Sequence, residues 1–245
     1  MLFQCCFYLI CMMMLALPVS AEIPHYAIGF WNSSGDFGYE FSPAPGKGYA
    51  PLAEPSNRYL SEQEVIYLTN LEREKQGLLP LRRNKLLDQS AILHAQDMRD
   101  QDYFDHTSKD GRSPSERIEA SGYDYNWSGE NIAGGYNTPA AVVDAWMESE
   151  GHRANILRPE FRELGVGLAE GGGSLRIYWV QNFGSQRDVY PVVIDNEVYQ
   201  TDSRTVELKI YGEGAAELMR ISDRSDFGDA EWIPCESTRS EVRGV

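Results

Sequence analysis

The order of helical and strand patterns is the feature that most limits what this chain can fold into. Apolar residues recur at helical spacing within residues 65–98 and again within residues 139–147. Two strand-like runs follow at residues 164–168 and 175–180, and the three glycines at 171–173 between them predict a hairpin turn. Helices first and strands later predict an α+β layered fold for residues 61–185.

Local end signals predict where the helices begin and end. Residues 61–64 read Ser-Glu-Gln-Glu, a capping box that predicts a helix start at Ser61. A second amphipathic helix is predicted from residue 86 to about residue 103. Thr138 followed by Pro139 predicts the start of a further helix, which we expect to run towards Gly151.

The N-terminus predicts the compartment. Residues 3–17 are almost wholly apolar, and Val19 and Ala21 place small residues at the −3 and −1 positions of a cut after Ala21. This is the pattern of a secretory signal peptide over residues 1–21, so we expect a secreted, extracellular protein. No Lys or Arg precedes the apolar run, so an uncleaved anchor is the alternative, although the run is short for a membrane span of about 20 residues. With the signal removed, Cys235 is alone and the core must hold the fold.

Two flanking segments differ from the central one. Residues 22–60 are rich in Gly, Pro and aromatic residues without a persistent period, which predicts an irregular N-terminal extension with His25 as an exposed loop histidine. Residues 190–245 contain an alternating run and predict a small β module, either docked on the first domain or one half of a sandwich that is cut short. The net charge of −15 argues against nucleic acid or anionic lipid as a partner.

Three of the four histidines lie within residues 94–152, among acids and aromatics. His94 is on the apolar helix face and is expected to be a hydrogen-bonded core residue. His106 follows a predicted helix end, and Glu130 follows Gly129 in a tight segment. A buried Glu needs a partner, which a nearby His would supply. Glu148 and His152 are four apart, which permits either a cooperating pair on one helix face or a solvated surface pair.

The segment from about residue 67 to residue 184 resembles the CAP superfamily, which includes cysteine-rich secretory proteins, antigen 5 and plant pathogenesis-related proteins. It is most similar to the disulfide-free microbial branch. The matching runs are Leu-His-Ala-Gln-Asp-Met at 93–98, Tyr-Phe-Asp-His at 103–106, Gly-Glu-Asn-Ile-Ala at 129–133, Trp-Met-Glu-Ser-Glu-Gly-His-Arg-Ala-Asn-Ile-Leu at 146–157, and Leu-Gly-Val-Gly at 164–167. The resemblance implies an α-β-α sandwich with a central cleft, followed here by the small β module.

The same resemblance implies the site residues. The family often places two His and two Glu in the cleft, and His106, Glu130 and His152 fall on three of these positions. Ser149 stands where the second Glu is expected. The implied metal ligands are therefore His106, His152 and Glu130, for a divalent cation such as zinc.

Two functions from different classes follow. The first, which we favour, is a secreted protein whose His/Glu cleft binds a divalent metal and an unidentified small-molecule, lipid-like or surface-protein ligand. The second is a secreted hydrolase, of peptidase type, using metal-bound or His-activated water. Ser149 is the only obvious serine near His152, and it lacks an evident orienting acid, which counts against a serine mechanism. Whether the protein is an enzyme stays open at this stage.

Overall fold

The computed structural model describes residues 27–32, 35–41, 56–199, 205–222 and 230–242. The signal-peptide prediction and His25 lie outside these residues. The helices are α1 (Asn57–Glu74), α2 (Lys85–Asp100), α3 (Pro114–Ala120), α4 (Pro139–Glu148) and α5 (Glu150–Ile156). The strands are β1 (Ala27–Asn32), β2 (Gly35–Phe41), β3 (Arg82–Arg83), β4 (Trp127–Gly134), β5 (Glu163–Glu170), β6 (Ile177–Ser185), β7 (Val192–Ile194), β8 (Thr205–Ile210), β9 (Leu218–Ser222), β10 (Ile233–Pro234) and β11 (Thr238–Val242).

A central sheet in the order β3-β5-β6-β4 separates two groups of helices. Alternate residues of β5 point to opposite faces, as the pleat of a strand requires. Leu164, Val166 and Leu168 pack in a core with α1, α4 and α5, whereas Ala169 packs against α2. The predicted α+β class and layered arrangement are confirmed, and β5 and β6 form the predicted antiparallel hairpin.

Helix ends follow the sequence signals in part. The Thr138 side chain caps α4 as predicted, and its oxygen accepts from the N–H of Ala141. The predicted start at Ser61 is wrong: Ser56 caps α1 by accepting from Tyr59 N, so Ser61 already lies inside the helix. The second helix ends at Asp100 rather than near residue 103, because Asp102 adopts a left-handed backbone with φ 50° that no helix can continue through.

The N-terminal segment corrects the prediction of an irregular extension over residues 22–60. Two strands form there, and β1 pairs with both β2 and β9 in a sheet of order β10-β9-β1-β2. A second sheet has the order β11-β8-β7. The β1–β2 pairing is local, whereas β9 lies about 190 residues further along the chain, so no local pattern predicts the β1–β9 pairing. The predicted strand around Val206, Leu208 and Ile210 is confirmed, and these residues form a separate small core.

No helix in the described part of the chain is long and apolar enough to span a membrane.

Candidate functional site

The edge strand β4 positions Glu130 at the centre of the site. Ile132, two residues later on the same strand face, packs with α2 residues, so Glu130 also faces α2. The residue is 7% exposed. A carboxylate this deeply buried requires charged or hydrogen-bonding partners.

Four side chains from different parts of the fold surround this carboxylate. His106 Nδ1 lies 2.8 Å from Glu130 Oε1, and Arg117 Nη2 donates to Oε2 at 2.7 Å. Asn182 on β6, with its amide oriented to satisfy its neighbours, donates to Oε2 at 3.2 Å. His94 Nε2 lies 4.0 Å from Oε1. Both carboxylate oxygens are therefore engaged, and the buried Arg117 guanidinium balances the charge.

His106 connects this buried pair to solvent. Its side chain is 48% exposed, and it lies in the loop between α2 and α3. The hydrogen bond that His106 donates to Glu130 raises the pKa of His106 above its ordinary value of 6.5, outweighing the opposite effect of burial. Because a carboxylate accepts from Nδ1–H, we assign the neutral ring a proton on Nδ1. This leaves the Nε2 lone pair available to a ligand.

A break between two helices positions His152. α4 ends at Glu148, Ser149 adopts an extended backbone with φ −87° and ψ 123°, and α5 begins at Glu150. The predicted single helix running towards Gly151 is therefore wrong, and Glu148 and His152 do not share one helix face. Met147 and Ile156 both pack on the same core. Nine residues apart on one straight helix they would point in opposite directions, at about 100° per residue.

Hydrogen bonds from asparagine side chains connect α5 to β4. Asn131 Nδ2 donates to the carbonyl of His152 at 3.1 Å. Asn155 Nδ2 donates to the carbonyl of Glu130 at 3.1 Å and to Asn131 Oδ1 at 2.9 Å. The half-buried His152 ring has a pKa below 6.5, first because of burial and then because of its electrostatic interaction with His106. That interaction places the two rings near each other.

The structure places only some of the predicted site residues in contact with one another. His106 and Glu130 are in direct contact, His152 is near His106, and Ser149 is the joint between α4 and α5. Within the described residues, no group of three His, Cys, Asp or Glu side chains is arranged to hold a metal ion. Direct ligation by Glu130 stays a prediction. In the structure, its oxygens are hydrogen-bonded to His106 and Arg117 instead.

Two residues behind Glu130 complete the site. His94 is 1% exposed and its Nε2 contacts the carbonyl of Asp105 at 3.1 Å, which confirms the expected core role. Burial lowers the pKa of His94, so the ring is neutral at pH 7. Arg117 is a site residue that the sequence patterns did not predict. The available signal was an arginine next to Ile118 on the inner side of a short helix, where a buried cation needs a buried acid.

Comparison with known proteins assigns this segment to a family. Residues 66–183 match the profile of CAP, the cysteine-rich secretory protein family. The chain is 48% identical over 129 residues to the uncharacterized protein YkwD of Bacillus subtilis strain 168. It is 38% identical over 123 residues to the uncharacterized membrane protein YlbC of the same organism.

The matches cover part of each protein. They span 53% of this chain and 49% of YkwD, and 50% of this chain and 34% of YlbC. A crystal structure of an extracellular protein containing a SCP domain, from Bacillus anthracis str. Ames, aligns with a TM-score of 0.48 at 30% identity. That alignment covers 55% of this chain and 45% of the other.

Proposed function

Residues 66–183 belong to the cysteine-rich secretory protein family, CAP, and from that premise we propose that this chain is a secreted binding protein. In this proposal the cleft binds a divalent cation such as zinc between His106 and His152 and a small or lipid-like ligand beside it. The prediction of a signal peptide at residues 1–21 supports export.

The observation that carries the proposal is the chain of contacts from Arg117 through Glu130 to His106. A carboxylate that accepts from one imidazole nitrogen fixes the tautomer and orientation of the ring and raises its basicity as a ligand. Here Glu130 contacts Nδ1 at 2.8 Å while nearly half of the His106 side chain is exposed. The geometry supports Glu130 as the residue that orients His106, and the two histidines as the groups that bind the ion.

The donor set fits a weakly held cation. Two imidazoles leave further coordination positions to water or to a ligand, and a bound zinc ion there would act as a Lewis acid that attracts anionic or carbonyl oxygens. His152 contributes a neutral ring at pH 7, because its pKa lies below 6.5. His106 must lose its proton before it can bind the ion.

The hydrolase alternative has less support. Ser149 occupies the position of the second family Glu, so one candidate base is missing. Within the described residues, no hydrogen bond joins Ser149 to His152, and the Ser149 side chain does not cap α5. We therefore propose binding rather than hydrolysis.

Zinc titration tests the cleft. Replacing His106 and His152 together by Ala removes both proposed ligands, so we expect zinc binding measured by calorimetry to be abolished while the circular dichroism spectrum is unchanged. His25→Ala, which removes a histidine outside the family segment, is the control and should bind zinc normally. Unchanged zinc affinity in the double variant would rule out the metal cleft.

Two further measurements separate the alternatives. Turnover of peptide or ester substrates by the wild-type protein, lost in the double variant, would favour the hydrolase. The mass of the exported protein tests secretion: a chain beginning at Glu22 supports it, and a chain that retains Met1 contradicts it.

A further inference from the structure

Two consecutive residues of β4 reach the two proposed metal ligands from opposite faces of the central sheet. Successive side chains of a strand point to opposite faces, so Glu130 faces α2 whereas Asn131 faces the core that α1 and α5 share. Glu130 contacts the ring of His106 at 2.8 Å. Asn131 Nδ2 donates to the backbone carbonyl of His152, on α5, at 3.1 Å. One strand therefore contacts both histidine-bearing segments.

The side chain of Asn131 belongs to a hydrogen-bonded chain that crosses the core. Asn131 is 0% exposed, its Nδ2 also donates to Gln181 Oε1 at 3.1 Å, and its Oδ1 accepts from Asn155 Nδ2 at 2.9 Å. Gln181 lies opposite Asn131 on β6, and its Nε2 donates to Thr69 Oγ1 of α1 at 2.8 Å. The orientation of the Asn131 amide is fixed, because both of its polar atoms have buried partners.

The N-terminal end of α5 needs an anchor of this kind. The helix has seven residues, too few to be stable without tertiary contacts. Its buried side chain, Ile156, is near the C-terminal end, where Arg73 Nη1 also donates to the Ile156 carbonyl at 2.8 Å. In the described part of the chain no side chain caps the other end, and the exposed Arg153 donates to a carbonyl of α4. Asn131 is thus a buried anchor for the end that carries His152.

The separation of the two rings decides whether they can share an ion. Zn–N bonds of about 2.0–2.1 Å require the two ligating nitrogens to come within about 4 Å of each other. His106 lies in a loop and His152 on a short helix, so each needs a contact that limits its movement. Glu130 supplies that contact to the first ring, and the Asn131 and Asn155 side chains supply it to the segment of the second.

We propose that Asn131 and Asn155 are positioning residues for the metal cleft, which hold α5 so that His152 and His106 can bind one ion. This inference rests on the proposed binding of a divalent cation.

Zinc titration of Asn131→Ala and Asn70→Ala tests this role. Asn70 is the matched control, because it is equally buried and hydrogen-bonded, but its bonds go to Leu81 and to the carbonyl of Asn196. Both variants should have a lower Tm, since each leaves buried polar groups unpaired. Zinc affinity should fall by about 10–100-fold in Asn131→Ala, as for other residues that orient a ligand, and should stay at the wild-type value in Asn70→Ala.

Hydrogen exchange gives a second readout that needs no metal. The N–H of Arg153, in the first turn of α5, donates to the carbonyl of Ser149 at 2.8 Å. In metal-free Asn131→Ala this amide should exchange about tenfold faster than in the wild type, because the end of α5 has lost a buried hydrogen bond. In Asn70→Ala it should exchange at the wild-type rate.

Asn155→Ala is the second variant, and it decides the question if Asn131→Ala does not fold. Asn155 is half-buried, and its replacement removes the bonds to Asn131 and to the carbonyl of Glu130. Wild-type zinc affinity in the folded variants, or equal losses in Asn131→Ala and Asn70→Ala, would overturn the positioning role. A wild-type protein that binds no zinc would refute the metal cleft itself, and the exchange rate of Arg153 would then decide whether the asparagines hold α5.

Discussion

At the scale of single residues, the carboxylate of Glu130 serves two side chains with different requirements. Arg117 is buried and needs a counter-charge, and Glu130 supplies it at 2.7 Å. His106 is half exposed and needs orientation, which the other carboxylate oxygen provides at 2.8 Å. Removing one partner of a buried ion pair typically costs about 3–5 kcal/mol of stability. Glu130 therefore both stabilises the fold and orients His106 for the proposed metal cleft.

Glu130→Gln tests this coupling through the pKa of His106. In the metal-free wild type an NMR titration should give a His106 pKa above 6.5, because the carboxylate favours the imidazolium. The stabilisation from this contact is fully present below pH 6.5 and is lost as the pH rises through the folded-state pKa. In the variant the pKa should move down. Zinc affinity at pH 8 should weaken by about 10–100-fold, as is usual when an orienting partner is lost.

The control for that experiment is Glu148→Gln, which removes an exposed acid close in sequence to His152. Its His106 pKa and zinc affinity should match the wild type. A His106 pKa that is the same in Glu130→Gln and wild type would show that Glu130 does not orient the ring.

At the scale of elements, the contact between α2 and β5 sets the position of His94. Gly165 and Gly167 face α2, and a Cβ added to Gly167 would lie 2.3 Å from the backbone carbon of Ala91 and the backbone nitrogen of Ile92. Only a residue without a side chain permits this approach of helix backbone to strand. His94 follows Ala91 by three residues, so the close packing brings it towards Glu130.

Gly167→Ala should accordingly destabilise the protein by about 2–3 kcal/mol, because the backbone of α2 must move to admit the methyl group. For a chain of this size, that corresponds to a fall in Tm of about 4–12 °C. Differential scanning calorimetry measures it. Gly151→Ala is the control, because a Cβ at Gly151 meets nothing within 4 Å. Equal Tm values for the two variants would show that α2 does not rest on Gly167.

At the scale of the whole molecule, the family domain and the β module have separate cores joined by polar contacts. Gln63 Nε2 donates to the carbonyl of Glu197, and Asn70 Nδ2 donates to the carbonyl of Asn196. Tyr211 OH lies 3.2 Å from the carbonyl of Leu79. The linking turn Asp195–Glu197 has positive φ at each residue, so packing against α1 holds it in a conformation that non-glycine residues rarely adopt.

Glu197 makes this junction sensitive to pH. Burial raises the pKa of Glu197 to about 7, although Arg82 and Arg83 act in the opposite direction. Between the unfolded-state value of 4.5 and about 7, the folded chain retains a proton that the unfolded chain has released. Stability therefore falls as the pH rises through that window. Glu197→Gln should raise Tm relative to the wild type at pH 8 and leave it nearly unchanged at pH 4.5.

Thermal unfolding at the two pH values measures the effect. The exposed Glu213→Gln on the same module should give the same shift from the wild type at both pH values. A Glu197→Gln variant with no greater advantage at pH 8 than at pH 4.5 would show that this carboxyl does not retain its proton in the folded chain.

Features that depend on neighbours along the chain could be predicted from the sequence. Helical spacing, the Thr138-Pro139 cap and the three-glycine turn predicted helices and a hairpin that the structure contains, because such signals act within a few residues. The motif runs predicted the CAP family, which the match over residues 66–183 bears out. The pairing of His106 with Glu130 could be anticipated because a buried acid requires a partner.

Features that depend on contacts between distant parts of the chain are visible only in the folded structure. The break at Ser149 arises because Met147 and Ile156 must reach one core, and the pairing of β1 with β9 joins segments from opposite ends of the sequence. The role of Arg117 as a buried partner of Glu130 follows from the packing of α2 and α3 on the central sheet. No local pattern encodes such contacts, because hydrogen bonds and burial depend on distances in space rather than along the chain.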